Sequence, residues 1–263
     1  MKPAPFELAR PVNLAEAAAV LARQPGAARL LAGGQSLGPM LNLRLVRPTM
    51  LVAIAHLPEL GGVAEDTDAV TIGAAVTHSA IADGRTPDIG NRILAHIAEG
   101  IAYRAVRNLG TIGGSLCHTD PAADWLTTLT ALDASVITWS EAGGRAIPLA
   151  QFVVGAFRTA LAPSEIVQAV RVPRPSAPAR WGYYKACRKP GEFAHAMAAV
   201  LDDPARGIRR AVIGAVGGPP VVLEGERVTP AAAQDALRDA GLDAVARHMQ
   251  VVALKRALAE AGA

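Results

Sequence analysis

Arg104 to Trp125 reads Arg-Ala-Val-Arg-Asn-Leu-Gly-Thr-Ile-Gly-Gly-Ser-Leu-Cys-His-Thr-Asp-Pro-Ala-Ala-Asp-Trp, and the meaning given to this stretch decides the fold of the chain. Gly113-Gly114 stands between Thr111 and Ser115. An answering stretch lies upstream, Leu30-Leu31-Ala32-Gly33-Gly34-Gln35-Ser36-Leu37. In each, a glycine pair beside a hydroxyl residue follows an apolar run, so the backbone can bend until several N–H groups converge on one anionic oxygen. Taken alone, either pair reads as a tight structural turn. Together, with Gln35, Ser36, Thr111 and Ser115 adding side-chain donors, they read as a clamp for a pyrophosphate.

Around the first pair the pattern is β-α-β. Phe6–Leu8 predicts a strand ended by Pro11, Asn13 caps a helix over 14–23 with Glu16 in the capping-box position, and Pro25-Gly26 stops it. Ala28–Ala32 predicts a buried strand feeding the glycine turn, 37–45 a helix closed by Pro48, and 49–54 a second strand. A glycine turn where a helix begins favours phosphate through backbone donors and the helix dipole. The G-x-G-x-x-G spacing is absent, as is an acidic residue about twenty positions on, so a nucleotide would not be held in the Rossmann manner.

Downstream of Leu60-Gly61-Gly62 come short alternating runs at 62–65 and 69–73, then a small helix over 77–82 with a Thr cap. Residues 87–102 read as helix, and Asp120-Pro121 signals another over 122–132. Antiparallel strands are expected at 135–139, 144–147 and 165–172, with Pro173–Pro178 as a linker. Trp181-Gly182-Tyr183-Tyr184-Lys185 is an aromatic strand with alternating faces; 194–201, 209–216 and 221–223 continue as strands or a helix and strands, and Ala-rich helices over 230–238 and 242–258 follow. No internal repeat is legible.

Composition excludes several classes. With 263 residues, 51% hydrophobic and 19% charged, the chain can bury a full core as one large domain or two to three subdomains. Aromatics at 4% leave few stacking platforms, and the 26 basic residues are scattered among 23 acids, so the +3 charge is ordinary surface rather than a nucleic-acid footprint. Cys117 and Cys187 lie far apart with no CxxC, which points to neither a disulfide framework nor a protein-held metal and suits a reducing compartment. Met1–Arg10 lacks a signal-peptide core and no apolar run approaches the roughly 18 residues of a membrane span, so a soluble cytoplasmic protein is expected.

Single residues carry competing readings. Asp120 and Asp124 fall four apart across Pro121; helix capping and dipole compensation suit Asp120, whereas for Asp124 hydrogen bonding to sugar hydroxyls competes. Cys117-His118 has no third ligand or triad partner at suitable spacing, and a structural role is assigned. Lys185 is either part of a solvated basic edge with Arg188 and Lys189 or a cation aimed at an electron-rich ring. His56, His78, His96, His195 and His248 are isolated, and no catalytic residue is assigned.

Four motifs occur in order: Leu30–Leu37, Thr71-Ile72-Gly73-Ala74-Ala75-Val76-Thr77, Arg107-Asn108-Leu109-Gly110-Thr111-Ile112-Gly113-Gly114-Ser115-Leu116, and Asp120-Pro121-Ala122-Ala123-Asp124. This set resembles the FAD-binding medium subunit of the molybdenum hydroxylases, the group containing carbon monoxide dehydrogenase, xanthine dehydrogenase and the nicotine and caffeine dehydrogenases. The resemblance spans nearly the whole chain. It implies an α+β chain with the vanillyl-alcohol-oxidase-type (PCMH) FAD-binding fold, two α/β subdomains at 1–57 and 58–175 and a small C-terminal α+β domain at 179–263. It further implies FAD contacts from Leu30, Leu31, Ala32, Gly33, Gly34, Gln35, Ser36 and Leu37 and from Thr111, Ile112, Gly113, Gly114 and Ser115, which hold the pyrophosphate. Ile101 would lie by the adenine side, Asp124 would meet ribose or ribitol hydroxyls, Val167 would sit near the flavin ring, and Lys185 would approach the isoalloxazine. Where this chain has Ser115 the family often has Asn or Asp; backbone contacts need no particular side chain there.

The resemblance also implies a division of labour. A large partner subunit carries a molybdenum-pterin cofactor, a small one carries two [2Fe-2S] clusters, and this chain passes their electrons through FAD to an external acceptor, in a dimer of heterotrimers. The flavin rather than a side chain would do the chemistry. Two other readings keep the fold: a stand-alone FAD oxidase or reductase, and a flavin-free structural bridging subunit.

Overall fold

Asn13 starts the first helix because its side chain accepts from the Glu16 N–H at 2.8 Å while Glu16 reaches back to the Val12 N–H at 2.9 Å. That helix, Leu14–Arg23, buries Leu14, Ala17 and Ala18. In the computed structural model, which describes residues 2–262, it lies beside a three-stranded parallel sheet of Glu7–Ala9, Met50–Ala53 and Ala28–Leu31, with Met50–Ala53 in the middle. The parallel order requires a crossover between the outer strands, and the Leu14–Arg23 helix supplies it.

A five-stranded antiparallel sheet follows, in the order Val63–Glu65, Ala69–Gly73, Ile166–Pro173, Ser135–Trp139, Ala146–Pro148. Its central strand is the last of the five in the chain, so everything between residues 74 and 134 is a long excursion that leaves the sheet and returns. The excursion carries the helices Ile112–His118 and Asp124–Ala131. One core joins both sheets and includes Val52, Ile72, Ile97, Trp125, Val136 and Phe152.

The last sheet is an antiparallel meander of Arg180–Ala186, Ala196–Asp203, Ile208–Gly214 and Val221–Glu224. The helix Ala244–Glu260, capped by Asp243, packs on it and closes a second core around Val200, Ile213, Leu223 and Leu254. All eight residues of Asp124–Ala131 are buried, because this helix packs against the meander strands Ala196–Asp203 and Ile208–Gly214 as well as the larger core.

Several sequence expectations change. The helix expected over 87–102 is only Ile93–Glu99, since Gly90, Asn91 and Arg92 all take positive φ and form a turn ahead of it. The helix expected from 122 begins at Asp124, because Asp120 accepts the Ala122 N–H at 2.9 Å and holds residues 120–122 in a side-chain-closed turn. Of the two readings open for 194–201 the strand is the one formed, as Ala196–Asp203, and 173–178 is no free linker: Ser176 donates its backbone N–H to Asp203 at 2.9 Å, and Arg174 pairs with Glu65.

Gly182 lies where the meander meets the Ala244–Glu260 helix, and a Cβ there would stand 2.0 Å from Ala257 O. Gly182→Ala is expected to cost about 3 kcal/mol, since helix backbone cannot yield like a flexible side-chain end; urea unfolding of the purified chain measures it.

Candidate functional site

The two glycine motifs meet through backbone. A Cβ on Gly33 would lie 1.9 Å from Leu109 O and 2.9 Å from Gly110 Cα, so the first loop can approach the second only because residue 33 has no side chain. The second motif is fixed in turn by the Thr71–Thr77 motif. Gly113 donates to Ala74 O at 3.0 Å, Ile112 to Val76 O at 3.0 Å and His78 to Gly110 O at 2.9 Å, with a bridge between Thr77 and Thr111. Three of the four ordered sequence motifs are therefore one hydrogen-bonded, close-packed unit.

Their donors are unequal. The second motif is not an open turn: Ile112–His118 is a helix capped by Thr111, whose hydroxyl takes the Gly114 N–H at 3.1 Å, while the Ser115 N–H bonds Thr111 O at 3.0 Å. Its N–H groups from Ile112 to Ser115 are thus engaged. In the first loop, no hydrogen bond among the described residues occupies the N–H of Gly33, Gly34, Gln35 or Ser36. The Gln35 amide closes the loop by donating to Gly33 O at 3.0 Å, and Gly34 holds a φ of +69°. Residues 31–37 are all half-buried, so this loop lies near the surface rather than in the core. Four consecutive open N–H groups fit a diphosphate. Leu30 packs against the main core from the strand before the loop.

Beyond the second motif lies a buried ionic cluster. Lys185 Nζ stands 2.8 and 3.0 Å from the two oxygens of Asp124 and donates to Gly100 O at 3.1 Å. Tyr183, two residues earlier on the same strand face, donates its hydroxyl to Asp124 at 2.7 Å. The Lys185 and Asp124 side chains are 10% and 5% exposed, so Lys185 belongs to no solvated edge and its charge is neutralised within the protein. Burial and the Asp124 charge push the Tyr183 phenol well above the usual tyrosine range, which keeps it a donor.

Ile101 adjoins this cluster: it bridges Gly191, and Arg107 holds the Ile101 and Ala102 carbonyls at 3.0 and 2.8 Å. Val167 is apart. It is 4% exposed with its side chain in the main core, at a register shift in the Ile166–Pro173 strand. Three residues at the centre escaped sequence reading: Tyr183, Arg107 and His78. Tyr183 was recoverable, since strand alternation places it on the face of Lys185. His78 follows the Thr77 cap, but nothing local says that its ring is 5% exposed and accepts from Trp125 Nε1 at 3.2 Å. Burial, then the positive charge of Arg107, lower its pKa to about 4.

Among the described residues no group of three or more His, Cys, Asp and Glu side chains is placed to hold a metal ion, and no helix is long and apolar enough to cross a membrane. A family described as "FAD binding domain in molybdopterin dehydrogenase" matches residues 4–175. The chain is 33% identical to the nicotine 6-hydroxylase medium subunit of Paenarthrobacter nicotinovorans, over 100% of this chain and 99% of that one. It is 36% identical to the carbon monoxide dehydrogenase medium chain of Hydrogenophaga pseudoflava, over 76% of this chain and 70% of that one. A solved structure of carbon monoxide dehydrogenase from H. pseudoflava superposes with a TM-score of 0.87 at 33% identity, covering 100% and 99% of the two chains.

Lys185→Met leaves the Asp124 carboxylate buried and uncompensated and is expected to destabilise the flavin-free chain by about 3 kcal/mol. The double variant Asp124→Asn/Lys185→Met should lose clearly less than the sum of the singles in urea unfolding. His78 sets a pH dependence of known sign. Its pKa of about 4 rises to about 6.5 on unfolding, so its contribution is complete above 6.5 and is lost as pH falls toward 4. The wild type should lose about 3 kcal/mol more stability across that window than His78→Asn, by the free energy of one pKa unit applied to the shift.

Proposed function

Since the chain belongs to the FAD-binding medium-subunit family of the molybdenum hydroxylases, we propose that it is the electron outlet of a multi-subunit dehydrogenase, passing electrons from iron–sulfur clusters of a partner through FAD to an external acceptor. The observation that carries this reading is the row of open N–H groups at Gly33–Ser36, packed against the second glycine motif. FAD, when bound, supplies the electron-accepting chemistry.

The chain's own residues bind and orient. Gly33, Gly34, Gln35 and Ser36 donate backbone N–H groups to the diphosphate, flanked by Leu30, Leu31, Ala32 and Leu37. Thr111 and Ser115 contribute hydroxyls from the opposite side, where Gly114 keeps side-chain bulk away from Ala32 of the first loop, Gly113 lets the helix pack on Ala74, and Ile112 anchors the helix in the core. Asp124, held by Lys185 and Tyr183, keeps acceptor capacity for a ribose or ribitol hydroxyl. Ile101 lines the adenine side. Lys185 and Val167 would stand on the ring side, and because the Lys185 ammonium is engaged by Asp124 and Gly100 O it orients Asp124 rather than offering a free charge.

The ionisable groups of the site favour relay over substrate chemistry. Asp124 and Lys185 neutralise one another, Arg107 is bonded to carbonyls, and His78 is uncharged with one nitrogen accepting from Trp125. None is poised as a proton-transfer catalyst toward a substrate, which weighs against a stand-alone oxidase. Substrate oxidation then falls to a large molybdenum-pterin subunit and electron delivery to a small [2Fe-2S] subunit, the whole a cytoplasmic dimer of heterotrimers. The three larger sheets, within residues 7–53, 63–173 and 180–224, support a division into 1–57, 58–175 and 179–263.

Absorbance spectroscopy of the purified chain after incubation with FAD and desalting tests the reading. Retained flavin bands in the parent, lost in Gly33→Ala, are expected; a parent that retains none overturns it. Turnover of a small substrate by the flavin-loaded chain without partners would overturn the relay role.

A further inference from the structure

Behind the glycine contact lies a second one. A Cβ on Gly110 would stand 2.9 Å from His78 Cδ2 and 3.1 Å from His78 Nε2, while on the other side Gly110 Cα meets the space of a Gly33 Cβ at 2.9 Å. Gly110 is thus pressed between the first loop and the His78 imidazole. The ring is tied on its far side, because the donor-only indole N–H of Trp125 bonds His78 Nδ1 at 3.2 Å and leaves the imidazole proton on Nε2. Trp125 is wholly buried, and the residue before it is Asp124. Gly33, Gly110, His78 and Trp125 therefore form one column from the first loop to the N-terminus of the Asp124–Ala131 helix.

We propose that His78 is a positioning residue for cofactor binding: its imidazole sets the spacing between the two glycine loops and, through Trp125, holds Asp124 in place at the start of its helix. This rests on the flavin reading above and assigns a role to a residue outside the glycine motifs. His78 need not touch the cofactor. Its backbone N–H fixes Gly110 O at 2.9 Å, its ring blocks Gly110 from retreating away from Gly33, and its Nδ1 is the acceptor of the Trp125 indole. Leucine fills the volume but leaves that buried N–H without an acceptor. Asparagine places an amide oxygen near the Nδ1 position and restores it.

The test is FAD titration of the flavin-free full-length chain, read by flavin fluorescence and visible circular dichroism, for wild type, His78→Leu, His78→Asn, Trp125→Phe and the His78→Leu/Trp125→Phe double variant. His78→Leu is expected to weaken FAD binding about tenfold or more, the scale of a buried donor left unmet. His78→Asn should recover most of the loss and the wild-type flavin dichroism, a rescue that a volume effect would not give. Trp125→Phe, which deletes the N–H together with part of the ring, should weaken binding by a smaller factor, and the double variant should fall short of the product of the singles. If His78→Leu fails to fold, Trp125→Phe and His78→Asn still decide: wild-type-like binding by Trp125→Phe, or no rescue by His78→Asn relative to a folded His78→Ala, overturns the proposal. A parent that binds FAD beside variants that bind it equally well overturns this inference alone; a parent that takes up no FAD overturns the flavin reading and this inference with it.

Discussion

Two stretches of backbone touch where side chains would forbid it. The gap between Gly33 and Leu109–Gly110 is smaller than one methyl group, and the juxtaposition of the two glycine loops depends on that contact. The parallel sheet delivers the first loop to one side and the long excursion from the antiparallel sheet delivers the second to the other. Neither side can slip outward: Ala74, Val76 and His78 hydrogen-bond the second motif, and Gly38 and Met40 fasten the helix after the first loop to Gly34 and Ser36.

The buried helix Asp124–Ala131 carries this arrangement into the rest of the molecule. Helices in small proteins usually keep one wet face, and this one keeps none. Thr128 and Thr130 bond back to carbonyls one turn earlier, at 2.7 Å to Asp124 O and 2.5 Å to Leu126 O, whereas the buried Thr127 hydroxyl finds no partner among the described residues. Asp124 is harder to bury, since an ionised carboxylate in the interior demands a partner. Lys185 and Tyr183 answer from the meander sheet, so the buried charge also joins the C-terminal sheet to the helix. Such a pair adds little net stability over an apolar one, and its value lies in fixing direction.

The polar chemistry of the site is directed inward. Lys185 has three acceptors around it, Arg107 caps a carbonyl turn, and His78 is held neutral. What remains open is backbone: four N–H groups of the first loop. A site built from backbone donors suits a group recognised by shape and charge.

How much of this was legible can be read from particular residues. Asn13 and Glu16, Pro25-Gly26, Thr77 and the first glycine pair act over three or four residues, so the early helix, its stop and the first glycine turn followed from sequence alone. The ordered motifs named the family for the same reason, since each is a local backbone requirement. The Asp124–Lys185 pair spans 61 residues, the His78–Trp125 bond 47, and the Gly33 contact with Leu109 joins separate sheets. Local pattern also misjudged the second motif as an open turn, because Gly113-Gly114 is a poor helix signal that the Thr111 cap and pairing to Ala74 override. The sequence by itself determined where the backbone must bend and which residues could meet an anion. Only the tertiary structure decided which N–H groups stay open and which charges cancel, because both depend on what the fold brings from far along the chain.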